Sequence, residues 1–287
     1  MSWHTARMLL LDFETTGVDP HRDRVVTAAS IEVGGGVERI TKTWLIDPVI
    51  EIPDAAAEVH GITTDHAREH GADAGTSILD IGTRVAAAIS RDIPVVGHNV
   101  GPYDLTMLVA ELIRHGHRNL ANQVAGIRLV VDTGVIEKHL DQYRPAEPGG
   151  RSRRPAEACG SHQLIDCCRL WGIDLDAADA HGAEADALAA GRLAWRLATD
   201  PLRFAQWDWR PQQRIDPARM SLADLFDWQV QQYATSAAGF QDYVRTKRPE
   251  AKGGLDPEFV ANTLWPICPP PAGWTPEQLP EPMAVPA

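Results

Sequence analysis

The sequence predicts an α/β fold built on a mixed sheet, and three observations carry that reading. A short apolar run, Met8 to Asp12, is followed by two stretches rich in β-branched residues, Arg24 to Val33 and Val37 to Ile46. Gly34-Gly35-Gly36 joins those two, as a hairpin connection does, so the sheet begins as an antiparallel meander. Beyond residue 50, short apolar strands alternate with segments of helical period, the signature of parallel crossovers.

The elements follow in order. Asp54 to His60 reads as a short helix, and Ile78, Ile81, Val85 and Ile89 recur at helical spacing. Ile93 to Val96 is a brief strand, and Leu105, Leu108 and Leu112 form the apolar face of a helix that Gly116 stops. Ile127 to Val131 is a further strand. Leu164, Cys168 and Trp171 mark a helix ending near Gly172, and Glu184 to Leu197 is an Ala-rich helix. From residue 201 the composition shifts: six of the nine tryptophans lie from Trp195 onward, and the last stretch is rich in proline. Within this part Ser221 to Tyr243 reads as a helix with Ser221 as its N-cap. The chain therefore divides into residues 1–200 and a C-terminal extension, 201–287, helical and then Pro-rich.

Composition narrows the function classes. With 27 Lys+Arg against 39 Asp+Glu, the formal net charge of −12 excludes capture of nucleic acid through bulk charge, though not a local site. No run approaches the ~18 apolar residues of a membrane span. Four cysteines without regular spacing give no disulfide framework, and a reducing cytoplasm is the expected setting.

Three acidic elements carry chemistry. Asp12 and Glu14 end the first strand, and the period of two puts them on one face with Phe13 on the other. Alone, such a pair is a solvated strand end. The repulsion between the two charges is removed by a hard divalent cation, which prefers carboxylate oxygens. Asp104 follows Gly97-His98-Asn99-Val100-Gly101-Pro102-Tyr103 between a strand and a helix, where aspartate also serves as a cap. His181 and Asp186 open the Ala-rich helix, and they converge when His181 lies on the preceding loop.

Taken together, Asp12 to Gly17 (D-x-E-T-T-G), His98 to Asp104 and His181 to Asp186 resemble the motifs of the DnaQ-like 3′–5′ exonucleases of the ribonuclease H-like fold, in the subgroup with four acids and a histidine. Val59-His60-Gly61-Ile62-Thr63 and Val131-Asp132-Thr133 are smaller matches, and the resemblance covers about residues 7 to 200. It implies a ribonuclease H-like sheet flanked by helices and hydrolysis of phosphodiesters with two divalent ions, Mg²⁺ or Mn²⁺. Two metals ~4 Å apart activate the attacking water and offset charge on both attacking and leaving oxygens. The ligands are then Asp12, Glu14, Asp104 and Asp186, with Asp12 bridging, and His181 is the general base. Thr15, His60 and Ile62 would seat the terminal nucleotide; ordinary packing is the other reading of Ile62. Asp132 reads as a helix cap or a support behind the ligands. One departure stands out: His98 and Asp104 are six residues apart where the family has five, as though Gly101-Pro102 held an insertion bulged before the helix.

The expected activity is a metal-dependent 3′–5′ exonuclease on DNA, on single-stranded or frayed 3′ ends, with a polymerase or repair protein as a further partner and no membrane. An exoribonuclease of the same fold and a catalytically silent binding module are the alternatives. Arg151, Arg153 and Arg154 lie on a loop that either touches substrate phosphates or is merely solvated. The tryptophan-rich extension either packs on the nuclease part, docks a partner or stacks bases.

Overall fold

Strand β1 (Met8–Thr15) organises the molecule because its alternate residues feed two different cores. Leu9, Leu11 and Phe13 pack on one side, with α3 (Ala74–Ser90), α4 (Thr106–Arg114) and α5 (Arg118–Ala125). Met8 and Leu10 pack on the other, with α7 (Leu164–Trp171) and α8 (Ala183–Thr199). The computed structural model describes residues 2–142, 144–148, 154–175, 182–205 and 215–270.

The sheet has five strands in the order β3-β2-β1-β4-β5. β2 (Val25–Val33) lies antiparallel between β1 and β3 (Ile40–Leu45), which is the expected meander. β4 (Val95–Gly97) and β5 (Val130–Asp132) continue it in parallel. The result is the α/β mixed sheet flanked by helices that the sequence predicts. α8 comes very close to β1: a Cβ at Gly191 would lie 2.7 Å from Leu10 Cδ1, so only glycine permits this approach. Helices α2 (Thr64–His70) and α5 have no counterpart in the sequence analysis, and α6 (Thr133–Leu140) is anticipated there only through Asp132 as a cap. The seven- and eight-residue lengths leave too few turns for a clear apolar period. α1 (Asp54–His60) matches its expected span.

The six-residue spacing in the second motif is absorbed within helical structure. Gly101–Leu105 forms a single π turn, in which the Leu105 N–H donates to the Val100 carbonyl at 2.8 Å. A π turn accommodates one extra residue inside a helix without breaking it. The extra residue thus lies in the helix start itself and not in a loop bulge before it.

Helix α9 (Leu222–Thr246) opens with Ser221, whose side chain accepts from the Asp224 N–H at 3.1 Å. Gln229, fully buried, seals the free edge of β5: its Oε1 accepts from Asp132 N–H at 2.8 Å and its Nε2 donates to the Val130 carbonyl at 2.9 Å. One amide side chain thereby does for the edge what a neighbouring strand would do. Phe226 and Trp265 join the β1 core on one side, and Leu225 joins the other. Trp265 and Pro266 also sit on the π turn, where a Cβ at Gly101 would lie 2.7 Å from Trp265 Nε1. The inserted position is therefore the seat of the extension. Among the described residues no helix is long and apolar enough to cross a membrane.

Candidate active-site cleft

The face of β1 that carries Met8 and Leu10 under α8 continues as Asp12 and Glu14. Period two therefore aims both carboxylates at the start of α8, whose first turns present Asp186. One carboxylate oxygen from each of Asp12, Glu14 and Asp186 lies within 4.8 Å of the others. Immediately after Glu14 the β1–β2 register shifts, a bulge that ends regular pairing beside the acids.

Asp104 approaches from the π turn and is held by the strand between the two β1 acids: its Oδ1 accepts from the Phe13 N–H at 2.9 Å. It stands beside the group of three and acts on Asp12 through its charge. Burial and the charges of Asp104, Asp186 and Glu14 push the Asp12 carboxyl well above its usual range. Burial, then Asp186, raises Glu14 to about 8. Burial also raises Asp104. A group of hard oxygen donors that resist ionisation for want of a nearby positive charge suits a divalent cation, which supplies that charge. Asp12, Glu14 and Asp186 are thus the residues fitted to hold one.

Behind the acids, Asp132 caps α6 through the Gly134 N–H at 3.0 Å. It also gathers the Asn99 and Gly101 N–H groups, at 2.9 and 3.2 Å, and so fixes the loop leading to Asp104. Asn99 adopts a left-handed φ of 61° there. His98 is turned to structural use, with Nε2 on the His162 carbonyl at 2.8 Å and Nδ1 on Thr133 Oγ1 at 2.9 Å.

Thr15 is buried, its hydroxyl engaged by the Tyr103 hydroxyl and by the Gly17 carbonyl. His60 lies half-buried, close to the Thr15 main chain, with Nδ1 accepting from Ile62 N–H at 3.2 Å. Ile62 packs against the small cluster of Val26, Ile52 and Ala67. His181, Arg151 and Arg153 lie outside the described residues.

Arg154 corrects the expectation of a loop cation that meets phosphates. The residue is 8% exposed, and its guanidinium clasps the Asp141 carboxylate with one contact at 2.8 Å and lies over the Phe204 ring. Asp141 is thirteen residues back in the chain, and only the fold returns it to Arg154. Arg144 of the same loop is spent likewise, on Glu137 and Asp141.

A cleft of about 950 Å³ opens over Asp12 and Asp186. His162 lines it, with Nδ1 donating to buried Glu137 at 2.6 Å. Burial opposes ionisation of Glu137, but His162 and the Arg144 guanidinium outweigh it and hold the carboxyl down at about 2. His162 and Glu137 were missed in the sequence because neither belongs to a motif and their pairing spans 25 residues. Part of the cleft lining comes from α9 and residues 259–262.

The family model for the exonucleases named after ribonuclease T matches residues 9–194. The chain belongs to this exonuclease family. It is a DnaQ-like nuclease, with the acid motifs on β1, the π turn and α8 all inside the matched span. A comparison with curated protein sequences found no match. Among solved structures, Escherichia coli exonuclease I in complex with a dT13 oligonucleotide is similar, with a TM-score of 0.54 and 20% identity over 70% of this chain and 43% of that one. A zinc-bound form of E. coli exonuclease I with single-stranded DNA gives 0.54 and 20%, over 70% and 42%. A product-bound exonuclease I gives 0.54 and 17%, over 80% and 47%. These likenesses show a shared fold, and this nuclease spans less than half the length of those proteins.

Proposed function

We propose that this exonuclease removes nucleoside 5′-monophosphates from the 3′ end of single-stranded DNA with two divalent metal ions, Mg²⁺ or Mn²⁺. The observation that carries the reading is the convergence of Asp12, Glu14 and Asp186 on one another, with Asp12 and Asp186 lining an open cleft. Asp12, Glu14 and Asp186 would hold the ions, and Asp104, fixed by Phe13 N–H, completes the ligand set. Bound ions supply charge compensation at the scissile phosphate and acidify water there. His181, on the chain just before α8, is the candidate base for the attacking water. Thr15, His60 and Ile62 are proposed to border the seat of the terminal base. Residues 1–200 form the catalytic part on this reading, and 201–287 its extension. The E. coli exonuclease I structures hold single-stranded DNA, which supports that substrate for a chain of the same fold. Free cysteines suit a reducing cytoplasm, and end trimming, repair or proofreading beside a polymerase are the roles such chemistry serves.

The test uses 5′-labelled single-stranded DNA, duplex DNA and RNA with Mg²⁺, Mn²⁺ or EDTA, beside Asp12→Ala. A ladder shortening from the 3′ end, dependent on metal and absent in the variant, is expected on single-stranded DNA. Faster shortening of RNA would replace the substrate, and activity in EDTA would overturn the metal assignment.

A further inference from the structure

The part of the cleft lining that α9 supplies lies outside the span that matches the exonuclease family, since α9 begins at Leu222 and the match ends at residue 194. Tyr233, Ser236, Ala237 and Phe240 face the cleft from α9. Their spacing of three, four and seven is one helical face, about 10 Å long. That length spans two to three stacked bases at about 3.4 Å each. The small pair, Ser236 and Ala237, leaves a recess between the rings of Tyr233 and Phe240.

Phe240 is 52% exposed although it sits within an aromatic group. The edge of Phe259 meets it at 5.6 Å and 89°, and Tyr243 stacks beside it at 6.4 Å and 27°. Its ring is therefore oriented before any ligand arrives, while half of its surface faces solvent. Val260, 74% exposed, extends the apolar rim. Among the described residues lining the cleft, the carboxylates are Asp12 and Asp186 alone, and exposed Lys138 lines it as well. The described lining residues of α9 and 259–262 thus add no negative charge of their own to the path of a polyanion, despite the net −12 of the chain.

We infer that α9 and residues 259–262 form a stacking wall for unpaired bases upstream of the scissile phosphate, with Phe240 as its principal contact. It deepens the exonuclease reading and rests on it for the identity of the occupant: α9 and residues 259–262 line the same cleft as Asp12 and Asp186, where the 3′ end of a strand would lie. Bases offer their faces to an aromatic ring only when unpaired, so the wall selects single strands.

The test uses the full chain, its Phe240→Ala and Phe240→Trp variants, and an oligodeoxynucleotide carrying 2-aminopurine near its 3′ end. Binding is measured in EDTA, so that the strand stays whole, and circular dichroism verifies the fold of each variant. Stacking on the wall quenches 2-aminopurine in the wild type. Phe240→Ala should lose that quenching and weaken binding about tenfold, the scale of one base–aromatic stack. Phe240→Trp should retain both, and the blunt duplex of the same sequence should bind alike to all three proteins. With Mn²⁺, KM for the strand should rise in Phe240→Ala while kcat changes little. Wild-type affinity and quenching in Phe240→Ala would overturn the inference, as would an equal loss on duplex, or a changed oligomeric state with strand binding intact. A wild-type protein that binds and quenches in EDTA but cleaves nothing with metal would sink the exonuclease reading and leave the wall standing.

Discussion

Strand β1 and helix α9 border the same cleft and present opposite chemistry to it. β1 offers Asp12, with Glu14 on the same face beside it, from a strand packed on both faces and paired on both edges. α9 offers Tyr233 and Phe240 from a helix of 25 residues in which Leu225, Phe226, Gln229 and Val244 are buried. The acids need rigidity, because carboxylates brought within 4.8 Å repel one another when ionised, and a rigid backbone keeps them together against that repulsion. The wall needs only a shape and a surface. A sheet interior provides the first, and a helix anchored at a few points provides the second.

The comparison can be broken from either side, and the β1 side should break hardest. Asp12→Ala should cut metal-dependent nucleotide release by about a thousandfold or more, the scale of lost charge stabilisation at a reacting centre. Phe240→Ala, on the other side, should cost affinity and spare the chemical step, so the pair of variants separates cleavage from grip.

Gln229→Leu attacks the anchor. It leaves the Val130 carbonyl and the Asp132 N–H buried without their partner, at a cost of about 2–4 kcal/mol in urea unfolding. Because Asp132 also gathers Asn99 and Gly101, activity should fall with stability. An unchanged midpoint would mean that α9 rests on β5 without holding it.

Acid should act through Glu137. Its carboxyl is held at about 2 in the fold against an ordinary 4.5, so its contribution is complete above 4.5 and is lost as pH falls from there toward 2. Thermal midpoints between pH 6 and pH 3 should therefore fall more steeply for the wild type than for Glu137→Gln, which has no proton to take up. Parallel curves would show that the Glu137–Arg144–His162 group is not the acid-sensitive element.

The smallest effect belongs to Gly101→Ala. The added methyl meets Trp265 Nε1 at 2.7 Å, and the overpacking should cost about 1–3 kcal/mol. A red-shifted tryptophan emission would report that Trp265 has left the π turn. If emission stays put while stability drops, the strain falls on the turn and not on the extension.

Much of the catalytic side is legible in the sequence because it depends on local periodicities. Alternation on β1 puts Asp12 beside Glu14, and the Ala-rich run from Glu184 announces α8 with Asp186 in its first turns. Asp132 reads as a cap and is one. The short helices α2 and α5 are not legible because two polar turns carry no clear apolar period, while α6 shows only its cap. Arg154 misled because a loop arginine reads as solvated until the distant Asp141 is seen to cover it.

The sequence by itself determined the antiparallel start of the sheet and the pairing of Asp12 with Glu14 on one face, because periods of two and 3.6 residues are written in neighbouring positions, and its three acid motifs pointed to the family. Tertiary structure alone decided that the second-motif insertion becomes a π turn under Trp265, that Gln229 closes the edge of β5, and that the extension returns as part of the cleft lining. Those outcomes depend on packing between residues 97 to 164 positions apart, and no local pattern records which distant surfaces fit one another.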